Sequence, residues 1–331
     1  MRTSFLHLAD TRLGYRDPND PAVFEQVASQ FRFAVDFAVD QRASFVVFSG
    51  DLFDSPGFEP DTLRVALRGL SKLAEKNIGA IAIRGRSDTA GEPGVMTWHD
   101  MLAQEGLLAA LDVGIGDGQL ELHRWERREG RGSYLDLGRC RVFGLRYFGS
   151  MTSSMLPALS KAVAALDNRE TDFRLVLLHT PLEHLSAAFG PKLAYSDVLM
   201  LRRQVDYVAL GGSDSSYEAE GWVYNPGPSG FLHVTVDTAV RPKHAARHVP
   251  YPAALLAPRP AAPAQSPTRR ELEERVFDEL LASEADQDER NLRRDVLRLV
   301  TESMWGVADP VELHARLIEV ASRGQDASHA A

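Results

Sequence analysis

Cysteine is almost absent from this sequence of 331 residues, because Cys140 is the only one. A single thiol cannot form a disulfide within the chain, so nothing indicates an oxidising compartment. Long apolar runs are also missing, and none approaches the roughly 20 residues needed to span a bilayer. The N-terminus lacks the basic-then-apolar pattern of a secretory signal, since Asp10 and Arg12 follow Leu8 closely. These absences predict a cytoplasmic protein without a membrane partner.

An excess of basic charge is missing as well. The chain carries 37 Lys and Arg against 46 Asp and Glu, a net charge of -9, which excludes a surface coated with positive charge for nucleic acid. A local basic groove remains compatible with this balance. The stretch 123–131, HRWERREGR, is basic and holds one aromatic residue, but two glutamates interrupt it. It is either a contact for a nucleic-acid backbone or, as the glutamates favour, a solvated hairpin turn.

The first third of the chain alternates between short apolar runs and amphipathic stretches. Residues 4–9, 45–48 and 78–83 are apolar runs of strand length. Between them, apolar side chains recur at helical spacing over 21–41 and 60–76. This alternation predicts a mostly parallel sheet with helices packed on it.

The next part of the chain is predicted from the same two periodicities. Its elements are strands at 119–125, 133–148, 174–178 and 207–210, two strands within 222–249, and helices at 153–168 and 194–204. The whole of 1–249 is therefore predicted to fold as one α/β domain, with 215–249 as its terminal β part.

The composition changes at residue 250. Residues 250–267, PYPAALLAPRPAAPAQSP, are rich in Pro and Ala and predict a semi-extended linker. Apolar stripes at helical spacing then predict a helical module over 268–324, and the polar 325–331 predicts a disordered tail. The predicted fold class is thus α/β with a C-terminal helical appendage.

Four predicted strands end in or near a polar side chain. These side chains are Asp10, Asp51, Asp88 and His179. Ligand and metal sites in open α/β sheets gather at the carboxyl ends of the strands. We therefore expect these residues to mark the functional site.

The context of these residues resembles the motifs of calcineurin-like metallophosphoesterases of the DNA-repair nuclease (SbcD) type. FLHLADTRLGYR (5–16) resembles the opening motif, Asp-x-His-Leu-Gly, and FSGDLFDS (48–55) resembles Gly-Asp-Leu-Phe-Asp. IAIRGRSD (81–88) stands where the family has Gly-Asn-His-Asp, and LVLLHTP (175–181) matches a strand that ends in His. DYVALGGSD (206–214) stands where the family has Leu-Gly-His-x-His. One such motif is weak, but five in the family's order carry the resemblance.

The resemblance covers residues 4–249 and implies both a fold and a metal centre. The family fold is a two-sheet sandwich flanked by helices. In the family, two divalent cations, commonly manganese, activate water and hold the scissile phosphate. Carried over to this chain, Asp10 would be a ligand of the first metal, Asp51 would bridge both metals, and His179 would be a ligand of the second.

Other positions of this chain depart from the family pattern. Arg12 stands in place of a His ligand, and Arg86 stands in place of an Asn ligand. Ser87 replaces the His that assists departure of the leaving group, and Gly212 and Asp214 replace the two His of the fifth motif. A guanidinium cannot bind a cation and glycine offers no side chain, whereas the Asp214 carboxylate still can bind one.

These departures predict a degenerate site in which no catalytic residue is intact. We expect that the two-metal centre does not assemble at physiological metal concentrations. No cofactor is therefore expected, and a vestigial site would hold manganese or another divalent cation at partial occupancy. Without cations, Asp10 and Asp51 would repel each other. We hypothesise that Arg12 and Arg86 supply the missing positive charge to these carboxylates or to Asp88.

The resemblance also implies partners. In the family, helices that follow a linker dock on an SMC-like ATPase, SbcC, and 268–324 has the corresponding position. An independent small bundle or a self-association element is the alternative. DNA and a second copy of the chain are the other expected partners, the homodimer through phenylalanines that could equally belong to the core: Phe24, Phe31, Phe33 and Phe37.

Three functions remain open from the sequence. The favoured one is a pseudonuclease, an SbcD-like protein that acts as a binding or scaffold subunit in DNA repair. The second is an active phosphodiesterase or nuclease with a reduced metal site formed by Asp10, Asp51, His179 and Asp214. The third is an interaction protein unrelated to DNA that has kept only the fold.

Overall fold

A computed structural model describes residues 1–57, 59–89, 96–116, 119–167 and 169–256. No helix within these ranges is long and apolar enough to cross a membrane. The predicted helical module and tail lie outside the described residues.

The described chain is built from strands that form two large sheets. In chain order the strands are β1 Arg2–Leu8, β2 Phe45–Ser49, β3 Gly79–Ile83, β4 Ala109–Ala110, β5 Gly114–Gly116, β6 Gln119–Glu121, β7 Tyr134–Leu137, β8 Cys140–Leu145, β9 Phe173–Leu178, β10 Tyr207–Leu210, β11 Tyr217–Ala219, β12 Val223–Asn225, β13 Gly230–Asp237 and β14 His244–Pro250. The helices are α1 Ala22–Asp40, α2 Pro60–Glu75, α3 Trp98–Gln104, α4 Met151–Ala165 and α5 Tyr195–Leu199, and a short 3₁₀ helix spans Ala253–Leu255.

Each large sheet has six strands. The first has the order β14-β13-β1-β2-β3-β4, and the second has the order β11-β12-β10-β9-β8-β7. The strands β1, β2 and β3 run parallel to one another, as do β8, β9 and β10. A separate ribbon pairs β5 with β6. The carboxyl ends of the parallel strands are therefore available in both sheets for a shared site.

The two sheets pack face to face, and helices cover their outer faces. On β2, Phe45 and Val47 point into the core between the sheets, whereas Val46 and Phe48 point to the core beneath α1 and α2. Successive side chains of a strand point to opposite faces, so a strand buried on both faces must be a continuous apolar run. Leu159 of α4 packs with other residues on the outer face of the second sheet. The predicted two-sheet sandwich flanked by helices is confirmed.

Some predicted boundaries were wrong. The helix predicted at 194–204 is only the five residues of α5, followed by turns. The region 222–249 holds three strands, β12 to β14, rather than two. The helix α3 was missed, although Thr97 and Asp100 form a capping box at its start. The predicted solvated turn of 123–131 is found in the β6–β7 connection, where Glu126 pairs with Arg131.

The start of the predicted linker is part of the folded domain. Tyr251 is 6% exposed and packs against Phe33 and Phe231. The Gln30 side chain of α1 donates a hydrogen bond to the carbonyl of Leu255. Tyr251 and the backbone of Leu255 therefore contact α1, whereas Pro252, Ala253 and Ala254 between them are exposed.

The phenylalanines that could have served a homodimer mostly belong to this core. Phe31 is completely buried, and Phe33 and Phe37 pack against the same cluster. Phe24 lies under the guanidinium of Arg16, with 4.3 Å between the guanidinium carbon and the ring centre. These contacts favour the core interpretation of Phe31, Phe33 and Phe37.

Candidate functional site

The structure brings three of the predicted site residues together. Asp10 follows β1, Asp51 follows β2, and His179 follows β9. Their candidate ligand atoms all lie within 4.8 Å of one another, and each residue is less than a tenth exposed. The site lies where the carboxyl ends of both sheets meet, as the strand-end argument predicted.

The backbone at this site is unusual. Asp10, Arg12 and Asp51 have φ angles of 54°, 50° and 51°, in the left-handed region that non-glycine residues rarely adopt. Such conformations cost about 1–3 kcal/mol each and persist where the surrounding structure demands them. Backbone hydrogen bonds from Asp10 N to Gly50 O (3.1 Å) and from Arg12 N to Asp51 O (2.8 Å) hold the two loops side by side. The strain therefore places both carboxylates in one pocket.

His179 is oriented from behind by the backbone. Its Nδ1 lies 2.8 Å from the carbonyl oxygen of Ser49, and its Nε2 lies 3.3 Å from Asp51 Oδ1 and 4.0 Å from Asp10 Oδ1. A carbonyl only accepts, so Nδ1 carries a proton and Nε2 faces the carboxylates. Burial alone would lower the pKa of His179, but the negative charges of Asp51 and Asp10 raise it above its ordinary value. Burial alone would raise the pKa of Asp51, but His179 lowers it.

Two residues at substituted family positions donate hydrogen bonds to the carboxylates. Ser87 donates its N–H to Asp51 Oδ1 at 2.7 Å and its hydroxyl to Asp51 Oδ2 at 3.0 Å. Gly212 donates its N–H to Asp10 Oδ2 at 2.9 Å. Both carboxylates thus have protein hydrogen-bond donors, and Asp51 also faces the His179 ring. Sequence reasoning missed these bonds because two of the three donors are backbone amides.

The arginine hypothesis is only partly supported. The guanidinium of Arg12 pairs directly with Asp54, at 2.8 Å from Nη2 to Oδ1, and contributes only a small, longer-range lowering of the pKa of Asp51. The guanidinium of Arg86 lies beside Gly190, because a Cβ added to this glycine would be 3.6 Å from Arg86 Nη1. His179 contacts Asp51 directly, because its ring lies between the strand ends.

Asp88 has a structural position beside the site. Its carboxylate accepts N–H groups from Gly85 at 2.9 Å, from Phe53 at 2.8 Å and from Leu52 at 3.3 Å. Burial, and then the charge of Asp51, raise the pKa of Asp88 to about 7. Asp88 therefore ties together the loops after β2 and β3 rather than joining the three clustered side chains.

Asp214 is engaged with a neighbouring loop. Its Oδ1 accepts the hydroxyl of Ser186 at 3.0 Å, the N–H of Ala187 at 3.1 Å and the hydroxyl of Ser215 at 3.3 Å. Asp214 is not a member of the three-residue cluster. The fourth ligand of the reduced site considered from the sequence is therefore used to hold the loop around Ser186.

The side chains present do not fit a two-metal centre. Arg12 and Gly212 offer no ligand, and Asp214 is turned to its loop. The remaining cluster of Asp10, Asp51 and His179 fits one divalent cation, since carboxylate oxygens and an imidazole nitrogen are common ligands of such ions. A cation held there would supply Lewis-acid polarisation of a phosphoryl oxygen.

Comparison with known proteins identifies relatives of part of the chain. The chain is 40% identical over 84 residues to the DNA double-strand break repair protein Mre11 of Methanococcus maripaludis, covering 25% of this chain and 23% of that protein. It is 35% identical over 109 residues to the protein of the same name from Archaeoglobus fulgidus, covering 33% of this chain and 24% of that protein. The match spans about a quarter of these relatives' length. No protein-family model matches the chain.

Among solved structures, the calcineurin-like phosphoesterase YfkN from Bacillus subtilis aligns with a TM-score of 0.49 and 9% identity, covering 78% of this chain and 93% of that chain. The resemblance inferred from the motifs is confirmed by the sequence relatives.

Proposed function

We propose that this chain, a relative of the SbcD/Mre11-type nucleases with the calcineurin-like phosphoesterase fold, is a pseudonuclease that acts as a binding or scaffold subunit in DNA double-strand break repair. We infer the repair role from the names of the relatives, which match only part of the chain. We infer the loss of nuclease activity from the residues of the site. The two parts of the proposal are therefore tested separately.

One observation carries the loss of chemistry. The carboxylates that would hold the cations accept hydrogen bonds from Ser87 and Gly212, the residues that stand where the family has histidines. A buried carboxylate that has donors of its own does not need a cation to offset its desolvation. The replacements thus remove ligands and also stabilise the pocket without metal.

Metal binding at His179 depends on pH. The carboxylates of Asp51 and Asp10 raise the pKa of His179, and a cation can bind its Nε2 only after the proton on that nitrogen is lost. Cation affinity at the cluster should therefore rise with pH. The positive charge of Arg12 also lowers the affinity of the cluster for a cation, because it acts at Asp51 and repels the cation.

The partners of the proposed subunit are DNA and an SMC-like ATPase. The ATPase would dock on residues 268–324, as the position after the linker implies, and a homodimer is a further proposal. Both proposals rest on the resemblance, and residues 268–324 lie outside the described residues.

A reduced, active site is the second candidate function. It is favoured by the three ligand atoms of Asp10, Asp51 and His179 within 4.8 Å, a separation that one cation could bridge. Against it, Asp214 is held by Ser186 and Ala187. A single-cation phosphodiesterase would therefore work with three protein ligands.

A nuclease assay of the full chain decides between the two. Linear double-stranded DNA and a small phosphodiester are incubated with Mn²⁺ and with either the unsubstituted chain or Asp51→Asn, which removes the central carboxylate charge. We expect both proteins to give the same background rate, because no two-metal centre forms. Manganese-dependent cleavage that Asp51→Asn abolishes would refute the pseudonuclease proposal. It would instead support an active site with fewer metal ligands than the family has.

DNA binding tests the other part of the proposal. In the presence of a chelator, the full chain is expected to shift labelled duplex DNA, and Arg86→Ala is expected to weaken the shift because it removes a positive charge beside the site. Arg169→Ala is the matched control, since this exposed arginine pairs with Asp167 on the connection between α4 and β9. A full chain that binds no DNA would instead favour an interaction protein unrelated to DNA.

A further inference from the structure

Ser49, the last residue of β2, forms hydrogen bonds at the ends of β1, β9 and β10. Its hydroxyl lies 3.0 Å from the carbonyl of Leu210 at the end of β10 and 3.3 Å from the carbonyl of Leu8 at the end of β1. Its own carbonyl accepts the Nδ1–H of His179, which follows β9. Ser49 has no exposed surface. One small residue thus joins the strand ends of both sheets at the place where the site residues emerge.

There is no room for a side chain at residue 211, which packs against Ser49. A Cβ added to Gly211 would lie 2.1 Å from the carbonyl oxygen of Ser49. Gly211 is the residue between the end of β10 and Gly212, whose N–H binds Asp10. The close approach of these two backbones brings the Gly212 amide to the Asp10 carboxylate.

The direction of each hydrogen bond around Ser49 follows from counting protons. Carbonyl oxygens only accept, so the single hydroxyl proton of Ser49 goes to Leu210 or Leu8. His7 Nε2, which lies 2.8 Å from the Ser49 hydroxyl oxygen, must then be the donor to it. His7 is fully buried, and burial lowers its pKa to about 3, so the ring is neutral and its Nδ1 is an acceptor.

Tyr207 completes this set of contacts from the second sheet. Its hydroxyl lies 3.0 Å from His7 Nδ1 and donates to it. The Tyr207 ring is stacked on Tyr224, with 4.7 Å between ring centres, and is itself completely buried. The chain of bonds Tyr207–His7–Ser49 therefore spans the space between the sheets and has every donor matched to an acceptor.

We infer that Ser49 is the positioning residue of the site, and that the bonds from Tyr207 through His7 hold it in place. Its hydroxyl donates to the carbonyl of Leu210 or Leu8 and accepts from His7, and so ties β2 to the ends of β1 and β10, which precede Asp10 and Gly212. Through its carbonyl it fixes the His179 ring. The arrangement of the three clustered side chains depends on this buried contact, although Ser49 itself reaches neither carboxylate.

This inference is independent of the pseudonuclease proposal. The contacts of Ser49 hold the site in the same way whether or not a cation enters it. Its test is carried out in chelator, so that a result for or against a metal centre does not affect the outcome.

The test is hydrogen exchange of the Gly212 and Ser87 amides, which donate to Asp10 and Asp51. In Ser49→Ala, both amides are expected to exchange about tenfold faster, the factor that corresponds to about 1.4 kcal/mol and to the loss of one buried hydrogen bond. Ser133→Ala is the matched control. Ser133 is equally buried, and its hydroxyl bonds Glu121 O at 3.3 Å within the hairpin region.

The control variant is expected to leave the Gly212 and Ser87 amides within about twofold of their original rates, since it removes a comparable hydrogen bond elsewhere. Equal acceleration in Ser49→Ala and Ser133→Ala would mean a merely structural role and would overturn the inference. Tyr207→Phe serves as the second variant, because it keeps the ring stack and removes only the bond to His7. It should accelerate the same two amides to a smaller extent, and unchanged exchange in this variant also overturns the inference.

Discussion

Replacement of Gly50 by alanine is expected to be the most damaging single-methyl change at the site. Gly50 has a φ of 90°, and a Cβ there would lie 2.3 Å from His179 Nδ1 and 2.5 Å from its Cγ. The ring cannot withdraw, because it is 3% exposed and bonded to Ser49 O. Overpacking and the unfavourable backbone angle together should lower the free energy of unfolding by about 3–5 kcal/mol.

The measurement is the free energy of unfolding from chemical denaturation. Gly138→Ala is the matched control, because Gly138 also has a positive φ, 60°, but an added Cβ there meets no atom of the described residues within 4 Å. It should lose only about 1–2 kcal/mol, the cost of the left-handed backbone alone. If the two variants lost the same stability, the close packing of Gly50 against His179 would carry no energy, and the description of the site would be wrong.

Replacement of His99 by phenylalanine is expected to stabilise the protein, most of all in acid. His99 is completely buried, and within the described residues neither ring nitrogen has a hydrogen-bond partner. The nearest carboxylate oxygen, Asp88 Oδ2, is 3.9 Å from Nε2. An unsatisfied buried polar group costs about 1–3 kcal/mol. Phenylalanine has a similar shape and can keep the edge contact with Phe53.

The pH dependence follows from the pKa of His99, which burial lowers from 6.5 to about 3. Below pH 6.5 the unfolded chain binds a proton that the folded chain does not, so folding stability falls as the pH falls from 6.5 to 3. The slope is at most about 1.4 kcal/mol per pH unit for this group. His99→Phe should remove this slope while the similar contribution of His7 remains.

Denaturation of both proteins at neutral pH and at pH about 5 checks this expectation, because the first pH lies above the window in which His99 acts and the second lies within it. The advantage of His99→Phe should grow as the pH falls. An advantage that stays constant or shrinks in acid would show that the buried imidazole is not the source of acid sensitivity.

The fold was largely predictable because its main elements have strong local patterns. The continuous apolar run of β2 and the helical spacing of α1 identified a parallel sheet with helices on it. The strands β4 and β5 have two and three residues, too few for any periodicity to be read. The packing of Tyr251 on α1 was missed because linker composition says nothing about a single aromatic residue that finds an apolar surface.

The sequence predicted which residues cluster at the site, but not their hydrogen bonds and ion pairs. Strand ends of parallel sheets converge, so Asp10, Asp51 and His179 could be placed together from the sequence. The pairing of Arg12 with Asp54 and of Asp214 with Ser186 could not be read from residue types, because each charged side chain had several acceptable partners nearby. The hydrogen bonds that Asp10 and Asp51 accept come mainly from backbone amides, which nearly every residue has.

Manganese content is the most direct test of the claim that this pocket is stable without a two-metal centre. The full chain is equilibrated with Mn²⁺ near neutral pH, separated from free metal by gel filtration and analysed for bound metal beside Asp51→Asn. We predict that the unsubstituted chain retains less than one Mn²⁺ and no more than Asp51→Asn does. Retention of two Mn²⁺ per chain, lost in Asp51→Asn, would contradict the account.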